Sequence, residues 1–135
     1  MNAMNDHVPL HCQRVSSAEW SARVAVLAAA DARLLTLWSS DERDRGAGEL
    51  LRAAFLERDG VVVLELALPA EEPRYPRIDT WFPSAARMQR AVRDLSGAVA
   101  DGADARPWLR HGWWSPDEHP LRRDFVRGTP DPAPY

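Results

Sequence analysis

The sequence predicts an α+β domain, and three observations carry that expectation. Ser16-Ser17-Ala18-Glu19 has the spacing of a capping box ahead of an apolar helical period. Asp59-Gly60 stands between two apolar runs as a hairpin signal, and Ser84 to Gly97 reads as a second helix with its stop. The plan is an N-terminal helix, a three-stranded antiparallel meander, a second helix and a long irregular C-terminal arm. Residues 1–15 form a loose N-terminal segment in this reading, 16–97 the α+β domain, and 98–135 an irregular docking arm rich in Trp, Arg and Pro.

Each element has its own signal. Trp20, Val24, Leu27 and Ala28 recur at helical spacing behind the capping box, which predicts a helix over Ser17 to Ala30. Arg33 to Trp38 (RLLTLW) reads as a strand, and the polar, glycine-containing stretch Ser39 to Gly48 as a loop. Glu49 to Arg58 has helix-favouring residues, yet a type I′ turn at Asp59-Gly60 requires a strand on both sides, so a strand is expected. Val61 to Leu68 alternates, with Val63, Glu65 and Ala67 on one face and only apolar residues on the other. A proline-rich loop, Pro69 to Pro83, leads to a helix with Ser84 as N-cap, and Ala85, Met88, Ala91, Val92 and Leu95 on one face. Gly97 stops it. From Ala98 onward no period survives, and the chain runs into a proline-rich tail.

Composition bounds the function. The 135 residues suffice for one core, and a net charge of -3 offers no overall electrostatic attraction to nucleic acid. All of the Lys and Arg positions are Arg, a planar cation suited to bidentate carboxylate pairing. Cys12 is the single cysteine, which excludes an intrachain disulfide and any cluster held by several of the chain's own thiolates. No secretory leader pattern and no apolar run of spanning length occur, the longest being Val24 to Ala30, so a cytoplasmic protein is expected.

Candidate chemistry is sparse. His7 and His11 lie four apart with Cys12 adjacent, but in an unpatterned segment without a second ligand pair, so no metal site is assigned. His111 and His119 flank the double tryptophan near Ser115, Asp117 and Glu118, with no diagnostic spacing for a hydrolytic site. No glycine-rich phosphate loop is present. The expectation is therefore no catalytic residue, no metal and no cofactor in this chain. Arginines and tryptophans after Arg106 can stack single-stranded bases, but Asp101, Asp104, Asp117, Glu118, Asp124 and Asp131 offset the cations. Trp and Arg are also enriched at protein–protein hot spots, and proline stiffening lowers the entropic cost of docking. Trp38 and Trp81 are expected to cap the core; Trp113 and Trp114 are expected at a partner interface.

The tail motif His119-Pro120-Leu121-Arg122-Arg123-Asp124-Phe125 resembles, with one conservative change, the His-Pro-Leu-Arg-Lys-Asp-Phe segment of the thirty-kilodalton (C) subunit of NADH:quinone oxidoreductase, respiratory complex I. The homologous module of energy-converting [NiFe]-hydrogenases shares it. Upstream, Tyr75-Pro76-Arg77-Ile78, Pro83-Ser84-Ala85-Ala86 and the helix containing Arg90, Asp94, Leu95 and Gly97 are similar to further family segments, over roughly Leu34 to Phe125. The chain departs from the pattern at Gln89 and Ala91, which replace glutamates, and at Ser96, which replaces phenylalanine. Only Asp104 and Arg106 survive of a His-Pro-Asp-Leu-Arg-Arg segment, and the stretch Arg106 to Gly112 is more similar to the hydrogenase-associated branch. Without paired nickel-ligating cysteines, the chain is not expected to be the hydrogenase large subunit.

The resemblance implies a domain without a redox centre, packed against the large quinone-site subunit of the peripheral arm and peripheral to the inner face of the cell membrane through its complex. The implied partner interface comprises Arg106, Trp108, Trp113, Trp114, His119, Pro120, Leu121, Arg122, Arg123, Asp124 and Phe125. A subunit of a membrane-bound hydrogenase or formate hydrogenlyase is the alternative within the family. A nucleic-acid-binding module using the Arg/Trp arm is the alternative outside it.

Overall fold

The computed structural model describes residues 8–46, 48–110, 115 and 117–125. Its elements in chain order are strand β1 (Leu10–Val15), helix α1 (Ser17–Ala29), strands β2 (Arg33–Asp41), β3 (Glu49–Glu57), β4 (Gly60–Leu68) and β5 (Arg74–Pro76), helix α2 (Ala85–Ser96) and strand β6 (Val99–Asp101). β1 to β4 form one mixed sheet in the order β1-β4-β3-β2, and β5 pairs in parallel with β6.

β2, β3 and β4 pair antiparallel in chain order, and β1 adds a fourth strand parallel to β4, with Val15 opposite Leu66. The expectation of a loose lead-in up to residue 15 therefore fails for Leu10–Val15. Only Val15 of that strand is buried, which is why its sequence shows no alternation. β2 likewise runs on to Asp41, beyond the strand read from the sequence, and a short 3-10 turn, Arg43–Arg45, follows it.

Period-two alternation decides which face is buried. Leu51, Ala53 and Phe55 of β3 face the core with Val62, Leu64, Leu66 and Leu68 of β4, joined by Leu34 and Leu37 of β2. Trp20, Val24 and Leu27 of α1 and Ala85 and Val92 of α2 enter the same cluster, so both helices cover one face. The other face carries a charged ladder in which Arg14 and Arg52 both bond Glu65 at 3.2 Å. The hairpin tip lies one residue earlier than the type I′ reading places it: Glu57 pairs with Gly60, which leaves Arg58 and Asp59 as the loop. Gly60 (φ +151) is required instead because a side chain there would collide with the Pro9 carbonyl, which accepts the Val61 N–H at 2.8 Å.

The caps differ. Ser16 and Glu19 form the expected reciprocal capping box of α1. Ser84 is already helical and makes no side-chain cap; a preceding backbone turn, with Phe82 donating to Ile78 and Ala85 to Phe82, leads into α2 instead. Gly97 ends α2 in the left-handed region, as expected. Trp20 fills the core, whereas Trp38 is half-buried and Trp81 is 39% exposed, so the expectation that Trp81 caps the core is corrected.

Candidate docking surface

α2 organises the chain that follows it. Asp94 is 5% exposed, and its Oδ2 accepts the backbone N–H groups of both Trp108 and Leu109 at 2.7 Å. One turn earlier, Arg90 donates to the carbonyls of Arg106 and Pro107 at 2.7 Å each, and Arg93 donates to the Ala105 carbonyl. The guanidinium carbons of Arg87 and Arg90 lie 4.9 and 5.3 Å from the centroid of the Trp108 ring, a double cation–π contact. Arg106 folds back on Asp104 through a 2.6 Å bond. A polar side of one helix thereby fixes residues 105–109 by their backbone.

The motif His119 to Phe125 is fixed in the same way. His119 Nδ1 lies 3.2 Å from the Asp94 carbonyl, and the Leu121 N–H donates to the Leu95 carbonyl at 2.8 Å. The Arg123 N–H donates to Asp41 Oδ2 at 2.7 Å, and the Arg123 guanidinium reaches the Asp41 carbonyl (3.4 Å) and the Asp44 carboxylate (3.7 Å). Arg122 pairs with Asp124 at 3.0 Å, and backbone turns join Arg122 to His119 and Phe125 to Arg122. The four helix positions singled out by the resemblance thus acquire roles: Arg90 and Asp94 hold residues 106–109, Leu95 holds Leu121, and Gly97 adjoins His119.

With the backbone held, apolar side chains are left outside. Trp108 is 46% exposed, Leu109 40% and Leu121 54%. Beside Leu121, an apolar hollow of about 80 Å³ lies between β2 and α2, lined by Leu37, Trp38, Ala91, Val92 and Leu95. Of the sequence-derived interface residues, Arg106, Trp108 and His119 to Phe125 lie on or beside this surface, with Pro120 and Phe125 half-buried. Trp113 and Trp114 lie outside the described residues, as do His7 and His111.

The departures from the family pattern are accommodated locally. Gln89 is buried, and its Oε1 accepts the Ile78 N–H at 2.8 Å. Ser96 is buried, 2.5 Å from the Ser39 hydroxyl, and donates to the Val92 carbonyl at 2.9 Å.

Sequence reasoning missed one group. Asp41 and Glu49 are register partners on β2 and β3, 3% and 1% exposed. Arg43 lies 2.5 Å from Asp41 Oδ2 and 3.5 Å from Glu49 Oε1. Asp41 also accepts the Arg43 N–H at 2.9 Å, whereas neither oxygen of Glu49 takes a hydrogen bond from the described residues. Burial pushes the Asp41 carboxyl up, but the Arg123 and Arg43 amides and the Arg43 guanidinium outweigh it and hold the group below the usual range. Burial pushes Glu49 up, the Asp41 charge adds to it, and Arg43 and Arg122 only partly offset them. The signal was present in the sequence: alternation through Glu49, Leu51, Ala53 and Phe55 puts a carboxylate on the apolar face.

Among the described residues, no three His, Cys, Asp or Glu side chains gather as a metal cluster, and no helix is long and apolar enough to cross a membrane.

Residues 13–130 match the family model for the respiratory-chain NADH dehydrogenase 30 kDa subunit. The chain is 36% identical over 92 residues to the C/D subunit of NADH-quinone oxidoreductase from Gluconacetobacter diazotrophicus, covering 67% of this chain. It is 33% identical over 112 residues to the C/D subunit from Rhodopseudomonas palustris, covering 76% of this chain. It spans only 13% and 19% of the lengths of those relatives. The fold is similar to a chain of the membrane-bound sulfane sulfur reductase, an archaeal respiratory membrane complex (TM-score 0.75, 16% identity, 93% of this chain and 85% of that one). It is also similar to a trypsin-resistant fragment of Nqo5 (TM-score 0.62, 18% identity, 70% and 80%).

Proposed function

The chain belongs to the family of the respiratory-chain NADH dehydrogenase 30 kDa subunit, and from that premise we propose that it is a non-catalytic accessory subunit of a complex I-like NADH:quinone oxidoreductase. It packs against the large quinone-site subunit through the surface formed by α2 and the segments 104–109 and 117–125. One observation carries the reading. Trp108, Leu109 and Leu121 are presented outward on a backbone already fixed by Asp94 and Leu95, so docking does not have to order it. The two C/D relatives agree with this reading, because most of each of those chains lies outside the matched region.

The arginines support it as well. Arg106 and Arg122 pair with Asp104 and Asp124, and Arg90 and Arg93 spend N–H donors on backbone carbonyls, which lowers the number of guanidiniums on this face open to phosphates. Co-purification with the large subunit at low and high salt tests the proposal. An apolar, Trp-anchored interface survives the salt increase. Loss of the complex at high salt, or capture of single-stranded nucleic acid in its place, contradicts it.

A further inference from the structure

Asp41 and Glu49 sit across from each other in the sheet, both nearly inaccessible, beneath the turn made by residues 119–125. They share one guanidinium, that of Arg43, which also donates to the Ala70 carbonyl at 3.2 Å. Asp41 takes three donors, two from Arg43 and the Arg123 N–H; Glu49 takes none among the described residues. Arg122 and Asp124 of the turn, paired with each other, also act on Glu49, and Arg14, Glu42, Arg45 and Arg52 line a hollow together with it. Two buried carboxylates facing one shared arginine cannot both ionise cheaply, and the one without donors is where a proton is best kept.

We infer that Asp41 and Glu49 form a buried carboxyl pair that carries one proton, on Glu49, and that latches the Arg123 end of the 119–125 segment onto the sheet within a bounded pH window and releases that end on either side. Asp41 must be ionised to hold the Arg123 N–H. Glu49 must be neutral for the pair to remain buried under the segment. The signs follow from linkage. Asp41 is held below its ordinary value, so its contribution is present above the unfolded value and lost as pH falls through the folded one. Glu49 is held above its ordinary value, so its contribution is present at lower pH and lost as pH rises through the folded value. At that point the carboxyl gives its proton to solvent, and the new charge repels Asp41 and draws Arg43 away from it. Lifting the segment admits water to the pair and relieves the conflict.

The latch is an intrachain property, so it is tested on the full chain alone, and its failure leaves the docking reading standing. Carboxyl-carbon NMR titration of the protein, read together with the Arg123 amide resonance, is the experiment. Glu49 titrates above the ordinary glutamate value, Asp41 below the ordinary aspartate value, and the Arg123 amide leaves its bonded position at both transitions. Glu49→Gln removes the upper transition and keeps the amide bonded to higher pH. A Glu49 carboxyl titrating at the ordinary value overturns the inference, and that result needs no variant to fold. So does an Arg123 amide that still moves at the upper transition in Glu49→Gln.

Discussion

The His119 ring occupies the space that any side chain at Gly97 would claim: a Cβ built there lies 3.1 Å from both Cδ2 and Nε2 of the imidazole. Two residues 22 positions apart, one ending α2 and one opening the tail motif, are thus matched in shape. Gly97 is required twice, for its φ of +87 and for this contact.

Gly97→Ala should therefore cost about 1–2 kcal/mol from the left-handed backbone alone, with a further loss as His119 is displaced. Urea denaturation measures the first part. Faster exchange of the Leu121 amide, which bonds the Leu95 carbonyl beside it, measures the second. Unchanged stability would contradict the backbone cost, and an unchanged Leu121 amide would show that the ring yields without consequence.

Asp94→Ala should be more damaging. It leaves the Trp108 and Leu109 amides without the carboxylate they share, and a hydrogen bond to a charged group contributes about 1.5–3 kcal/mol. Asp94→Asn keeps one acceptor oxygen and should recover part of the loss. Tryptophan fluorescence during unfolding reads the two variants side by side, and equal stabilities for wild type and Asp94→Ala would refute the assignment.

Much of this architecture was legible in the sequence, and the illegible parts have physical causes. The capping box, the Gly97 stop and the alternation of Val61 to Leu68 are local signals, and each marks what the structure contains there. β1 left no trace, because five of its six residues face outward or lie at the edge and only Val15 is buried. Asp59-Gly60 marked the hairpin, but the constraint on Gly60 is its φ of +151 together with the approach of Pro9, a contact no local pattern reports. At the surface, the motif residues were recognisable, but their partners were not: the bond between the Arg123 amide and Asp41 spans 82 positions.

Acid should weaken the packing of the loop before α2. Arg77 makes two 2.7 Å bonds to Asp79, and with help from Gln89 these hold the Asp79 carboxyl below its ordinary value against the opposing effect of burial. A depressed carboxylate stabilises above its unfolded value and loses that contribution as pH falls through the folded one. The stability difference between wild type and Asp79→Asn should be largest near neutral pH and shrink on acidification. A difference independent of pH would assign the effect to packing instead.

Replacing both Arg122 and Arg123 by Ala should leave the chain folded, with a loss of at most about 1 kcal/mol, as expected for exposed pairs. The substitution spares the Arg123 N–H that bonds Asp41. Thermal melting of the free chain measures this, and a collapsed melting temperature would make the two guanidiniums internal braces.

The most direct test of the docking proposal uses Leu121, whose backbone is bonded to Leu95 while its side chain is 54% exposed. Leu121→Asp should leave the stability of the free chain within about 0.5 kcal/mol, as for surface substitutions generally. Its affinity for the large subunit of the same complex, measured by calorimetry, should fall by at least about 2 kcal/mol, more than tenfold. Unchanged affinity with an intact fold would contradict the placement of this surface at the interface.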